Sequence, residues 1–116
     1  MNLRRSGTSW ERVAEEYLLA RGAKLLERNY RALGGEIDLI MKMDGATVFI
    51  EVKQRATTQH GTPGEAVNRA KQTRISRAAL MYLKQNKLLD SKVRFDVVEI
   101  LDGEVRHIKS AFLYRA

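Results

Sequence analysis

The stretch that most constrains the fold is "GEIDLIMKMDGATVFIEVK", Gly35 to Lys53. Two runs rich in strand-forming apolar residues flank Asp44-Gly45, a dipeptide suited to the left-handed backbone of a two-residue hairpin loop. A tight loop there pairs Met41 with Val48, Leu39 with Ile50 and Ile37 with Val52. These three apolar pairs are expected on one side of the hairpin, so the register agrees with the turn. On the other side Ile40 faces Phe49, Asp38 faces Glu51 and Glu36 faces Lys53.

The pairing of Asp38 with Glu51 needs a physical reason. Directly opposed side chains have Cβ atoms about 4.5–5.5 Å apart, and like charges at that range destabilise a hairpin. A shared proton relieves the repulsion by raising one pKa. A divalent cation relieves it too: Mg²⁺ takes oxygen ligands, binds through one or two carboxylates and keeps waters that a phosphate displaces. The Val52 backbone carbonyl is a candidate third oxygen, and Lys53 falls on the same strand face as Glu51, beside the ion. Such a set suits phosphodiester hydrolysis, with the metal activating a water and Lys53 orienting it or stabilising charge on the phosphate. The alternative from the residues alone is a surface hairpin with an ordinary Glu36–Lys53 ion pair and both acids in water.

Charge favours a phosphate-bearing partner. Twenty-one Lys and Arg against fourteen Asp and Glu leave a formal net charge of +7. A small domain this basic is drawn to polyanions, most often nucleic acid, through phosphate contacts and counterion release. The longest apolar run, Ala78 to Leu83, has six residues, far short of the ~18–20 that a membrane helix needs. The sequence has no cysteine, hence no disulfide or thiolate metal site. No apolar segment follows the basic start as a secretory signal would, so a cytoplasmic protein is expected.

At 116 residues the chain is expected to form one domain over 1–116, with residues 1–8 flexible. Trp10, Val13, Ala14, Tyr17 and Leu18 recur at helical spacing, and Gly22 stands where a C-terminal cap belongs. "AKLLERNYRA" reads as extended, and the hairpin supplies two more strands. "RATTQHGT" reads as a loop, after which Thr62 as N-cap, Pro63 at the first helical position and Glu65 in a capping box start a long helix. That helix is expected to bury Val67, Ala70, Ile75, Ala78 and Tyr82. "KVRFDVVEI" and "EVRHIKS" are strands joined at Asp102-Gly103. The order α-β-β-β-α-β-β points to an α/β domain, a mixed sheet with helices packed on it.

An Asp, a following strand and then Glu-x-Lys is the pattern of the PD-(D/E)XK nuclease superfamily. With "GEIDLI", "FIEVKQR", "ERNYR", "HGTPGEAV", "RFDVVEI" and "HIKSAF", the chain from Trp10 to Phe112 resembles the YraN family of small bacterial endonuclease-like proteins, themselves similar to archaeal Holliday-junction resolvases. The resemblance implies a restriction-endonuclease-like mixed sheet flanked by helices and a Mg²⁺ or Mn²⁺ site. Asp38 and Glu51 would be its ligands and Lys53 the catalytic lysine. A further acid of the first helix would be Glu11, preceded here by Trp10 where the family usually has Gly. Ile37 stands where the superfamily has proline. The resolvase resemblance implies DNA, branched or otherwise structured, as substrate and a homodimer as the working form.

The remaining candidates are weighed on the residues. Thr8-Ser9-Trp10-Glu11 also fits a capping box, so Glu11 is expected as cap, as metal-proximal acid, or as both. Lys71 and Arg74 interrupt the apolar stripe of the long helix, either snorkelling to its edge or reaching a phosphate with Gln72 nearby. Arg55, just past the catalytic strand, is a candidate for DNA-backbone contact, and His60 in its loop for substrate contact. Arg94 and Asp96 read as an ion pair and His107 as structural. Two other classes stay open: a nucleic-acid-binding module that keeps the fold without turnover, and a basic scaffold for a protein partner.

Overall fold

The computed structural model describes residues 7–55 and 67–116. In chain order its elements are α1 (Gly7–Leu19), β1 (Lys24–Ala32), β2 (Gly35–Met43), β3 (Ala46–Arg55), α2 (Arg69–Gln85), β4 (Lys92–Leu101) and β5 (Glu104–Phe112). The five strands form one sheet in the order β1-β2-β3-β4-β5. All neighbours are antiparallel except β3 and β4, which run parallel with α2 between them in the chain. This is the expected α-β-β-β-α-β-β mixed sheet with helices packed on it.

The sheet is covered on both faces. Ala14 and Leu18 of α1 pack with Leu39, Met41, Val48, Ile50 and Val98. Ile75, Ala78, Ala79 and Tyr82 of α2 pack with Ile37, Ile40, Phe49, Phe95 and Val97. Under α2 an aromatic row runs from Tyr82 edge-on to Phe49, which stacks on Phe95, which stacks on Phe112. β3 lies between the layers and is buried continuously from Ala46 to Glu51, as expected for a central strand that faces apolar neighbours on both sides.

The hairpin turn forms as expected, with φ of 53° at Asp44 and 73° at Gly45, the paired positive values of a type I′ loop. Its register pairs Met41 with Val48, Ile40 with Phe49 and Leu39 with Ile50. Beyond Leu39 the structure departs from the expected face. Ile37 packs on the α2 side with Ile40, whereas Leu39 and Met41 pack on the α1 side. The neighbouring strand changes face at the same level: Arg28 reaches Glu15 on α1, while Tyr30 packs under α2. Between them Asn29 has φ of 50°. A single left-handed residue breaks the period-two alternation, and asparagine tolerates that conformation better than most side chains.

Both helices end in the same local device. Gly22 at φ 95° follows α1, with Ala23 N–H donating to the Leu18 carbonyl at 3.1 Å. After α2, Lys87 takes φ 56°, and Leu88 N–H donates to the Leu83 carbonyl at 2.8 Å. These are Schellman caps, one with the glycine they favour and one with lysine. The starts differ from expectation. α1 begins at Gly7, so Thr8 lies inside it. Thr62, Pro63 and Glu65 lie outside the described residues, and the N-cap of α2 is Asn68, whose side chain accepts from Lys71 N–H. Ala70, in the first turn of α2, is exposed, and the buried Val67 precedes the helix. Buried Ser76 takes a place in the stripe, its hydroxyl accepting from Arg115 N–H.

Two glycine exchanges follow with opposite signs. A Cβ on Gly35 would run into the Arg74 carbonyl of α2, so Gly35→Ala is expected to cost about 1–3 kcal/mol by forcing strand and helix apart. Lys87→Gly relieves the left-handed lysine and is expected to stabilise by about 0.5–1 kcal/mol. Urea unfolding of the two variants against the parent chain checks both.

Candidate metal and nucleic-acid site

Beyond the Leu39–Ile50 pair a side chain takes over the bonding between β2 and β3. Asp38 Oδ2 accepts from the backbone N–H of Val52 at 2.8 Å. The Asp38 carboxylate is thereby held against β3 close enough to Glu51 for that charge to act on it. Glu51 is buried and points toward α2, where its Oε2 forms an ion pair with Lys71 Nζ. Lys53 Nζ stands 4.0 Å from the same oxygen. The expected convergence of Asp38, Glu51 and Lys53 is therefore present, and α2 adds Lys71.

Glu11 reaches the same region from α1. Its Oε1 accepts from the Asn29 side chain at 2.6 Å, and its charge is felt at Asp38. α1 is anchored for this by Arg28, which donates to buried Glu15 through two nitrogens, at 2.7 and 2.8 Å. Asn29 was not foreseen as a site residue. Its signal in the sequence is an asparagine inside a weak strand, where a left-handed kink is tolerated.

The electrostatics show like charges crowded together in a partly dry site. The Asp38 pKa rises from 3.8 to about 8 because burial disfavours the carboxylate and the Glu51 charge repels it. Glu11 adds to the rise, and the Val52 N–H opposes it. Lys53 is pushed down by burial and by the Lys71 charge. Burial also works against the Lys71 ammonium, but the bond and charge of Glu51 outweigh it and raise its pKa. Two adjacent carboxylates that keep a proton and draw in a lysine fit an oxygen-preferring divalent ion that binds through one or two protein carboxylates. Among the described residues no three His, Cys, Asp or Glu side chains converge to hold an ion. Any such ion would therefore draw its remaining ligands from water, backbone or phosphate.

The other expected site residues are placed differently. Arg55 Nε lies 2.7 Å from Glu99 Oε2, with only 13% of its side chain exposed. Glu99 Oε2 is buried and takes no hydrogen bond from the described residues, so its contact with Arg55 is an ion pair. Gln72 donates to the Val67 carbonyl at 2.8 Å and accepts from Arg115, which ties it to the start of α2 and the C-terminal segment. Arg74 is exposed and lies on α2 over Gly35. His60 lies outside the described residues. On β4, where it pairs with Ile50, Asp96 accepts from Arg94, from Ser110 N–H and at 2.6 Å pairs with His107. Burial works against the Asp96 charge, but these donors outweigh it and lower its pKa. Arg94 with Asp96 and the structural role of His107 thus match the expectation. Among the described residues no helix is long and apolar enough to cross a membrane.

A family model described as "Uncharacterised protein family UPF0102" matches residues 10–100. The chain is 43% identical over 114 residues to a UPF0102 protein of Clostridioides difficile (strain 630), across 97% of this chain and 100% of that one. It is 43% identical over 116 residues to a UPF0102 protein of Pelobacter propionicus, across 94% of this chain and 83% of that one. Among solved structures, SfsA of Pyrococcus furiosus in complex with Ca²⁺ is similar with a TM-score of 0.40 and 13% identity. That match covers 93% of this chain and 64% of SfsA. The protein SSO0001 is similar with a TM-score of 0.40 and 16% identity, over 92% of this chain and 53% of that one.

The raised Asp38 pKa gives a pH signature in metal-free protein. From the ordinary value of 3.8 up to about pH 8, the folded chain keeps a proton that the unfolded chain has released. Stability therefore falls as pH rises across that window. Thermal melts in chelator should show the decline in the parent chain and a flatter profile in Asp38→Asn, which is the more stable of the two at pH 8.

Proposed function

The chain belongs to the UPF0102 family, and on that premise we propose that it is a metal-dependent nuclease that hydrolyses phosphodiester bonds in DNA. The observation that carries this reading is the meeting of Asp38 and Glu51 at the end of the hairpin with two lysine ammoniums beside them. The net charge of +7 supplies the attraction to a polyanion.

Asp38 and Glu51 would hold a Mg²⁺ or Mn²⁺ ion, with the Val52 carbonyl as a further oxygen. When bound, such an ion polarises a phosphate oxygen and makes water acidic enough to ionise near neutral pH. Lys53 stands at the edge of this pair with a proton held less tightly than usual. It orients the attacking water and offsets charge developing on the phosphate. Glu11, held by Asn29, faces the Asp38 side and orients water there. Lys71 meets the phosphate from α2. Arg74, exposed on α2, is a backbone contact, while Arg55 and Gln72 contribute to DNA binding only by leaving their present partners. Branched DNA is the preferred substrate on the resolvase resemblance, and a homodimer would present two such sites to two strands in the cytoplasm.

A second reading is a nucleic-acid-binding module that keeps the fold without turnover. The Lys71–Glu51 ion pair favours it, because a carboxylate already neutralised has less need of a metal.

Incubation of the chain with labelled duplex, flap and four-way-junction DNA, with Mn²⁺ or Mg²⁺ and with chelator, separates these readings. The nuclease cuts only with metal, and Asp38→Ala or Lys53→Ala lowers the rate by about 100-fold or more while most binding remains. Salt-sensitive retention of DNA with no metal-dependent product in any arm would instead establish the binding module.

A further inference from the structure

Lys71 occupies a position that its own helix disfavours. It lies in the first turn of α2, which carries Arg69 and Lys71 and no acidic residue. Aligned peptide dipoles place positive charge at that end, so a cation there is opposed unless an anion faces it. In this structure the anion is Glu51. The same oxygen, Glu51 Oε2, is also the atom nearest Lys53 Nζ, at 4.0 Å. One buried carboxylate oxygen is therefore approached by two ammoniums.

Asp38 differs from Glu51 in what holds it. Its carboxylate is fixed by a backbone N–H, which cannot leave without parting β2 from β3. Glu51 is held by the tip of a flexible four-carbon stem, and about a third of the Lys71 side chain is exposed, giving it a route to solvent. Of the two acids, only Glu51 can exchange its partner cheaply.

We propose that Lys71 is an internal counter-cation, which occupies Glu51 until a divalent ion takes that carboxylate and is then released to bind a nucleic-acid phosphate. This rests on the reading of Asp38 and Glu51 as metal ligands. Once released, the ammonium joins exposed Arg69 and the positive helix end, the charge arrangement that attracts phosphate. Metal and DNA then assist one another, since each favours the state in which Lys71 has left Glu51. Linkage makes that assistance reciprocal.

Calorimetric titration with Mg²⁺ of the parent chain, Lys71→Met and Asp38→Asn tests the exchange. Removing the competing ammonium is expected to tighten Mg²⁺ binding about tenfold, whereas Asp38→Asn abolishes the heat. In non-cleaving Ca²⁺ the parent chain binds duplex DNA more tightly than in chelator, and Lys71→Met loses that gain. Carbon-13 spectra of the lysine side chains in the parent chain add a readout independent of any variant's folding: Mg²⁺ moves the Lys71 signal to that of a solvated lysine. Unchanged or weaker Mg²⁺ affinity in Lys71→Met, or a Lys71 signal unmoved at saturating Mg²⁺, overturns the proposal while leaving the metal site intact. Absence of heat in the parent chain removes both the proposal and the metal site.

Discussion

The bond from Val52 N–H to the Asp38 carboxylate is the contact on which the rest of the site depends. Up to Leu39 and Ile50 the hairpin is an ordinary ladder in which backbone pairs with backbone. At the next step a side chain accepts the strand's N–H. A buried backbone donor must have a partner, and here the partner is a carboxylate. The bond consequently draws an acidic group into the sheet beside another acid. Without it Asp38 would be free to turn to water, and the repulsion that shapes the site would disperse.

The surrounding structure serves to hold that crowding in place. Adjacent strands change face at Asn29 and Ile37, at the level of Asp38, where β1 and β2 stay paired while the ladder between β2 and β3 stops at Leu39 and Ile50. Arg28 and Glu15 tie α1 to β1 and so bring Glu11 within reach of Asn29. On the other face α2 lies close enough to the hairpin that only a glycine fits at position 35. That closeness is what allows Lys71 to reach Glu51. On β4, where it pairs with Ile50, the buried Asp96 gathers Arg94, His107 and the backbone of Ser110, and Arg94 reaches on to Asp44 in the hairpin turn. A fully partnered buried carboxylate there and a crowded one at the site are made from the same residue type. The difference lies in the number of donors each one meets.

Much of this was legible in the residues because it depends on neighbours in sequence. Asp44-Gly45 determines the loop, the loop determines the register, and the register brings Asp38 level with Glu51. The caps behave similarly where glycine marks them, as at Gly22. Reading was weaker where a contact joins distant segments. The face change at Ile37 lies level with the left-handed Asn29 on the neighbouring strand, and alternation within β2 alone could not show it. Arg55 looked available for DNA because its partner, Glu99, lies on a strand that pairs with β3 only after α2 has crossed over. Ala70 looked buried because the helix was expected to start at Thr62, whereas Asn68 caps the described helix and Ala70 falls in its exposed first turn.

The sequence by itself therefore determined the element order, the hairpin and its register, and the identity of the acids and the lysine that face one another across it. These follow from backbone preference and period-two alternation, which act over a few residues. The tertiary structure alone decided the electrical state of that set. Burial and the Glu51 charge raise the Asp38 pKa to about 8, and the approach of α2 places Lys71 on Glu51. Both effects depend on how much water is excluded and on which charges come near through space, and neither quantity is a function of local sequence.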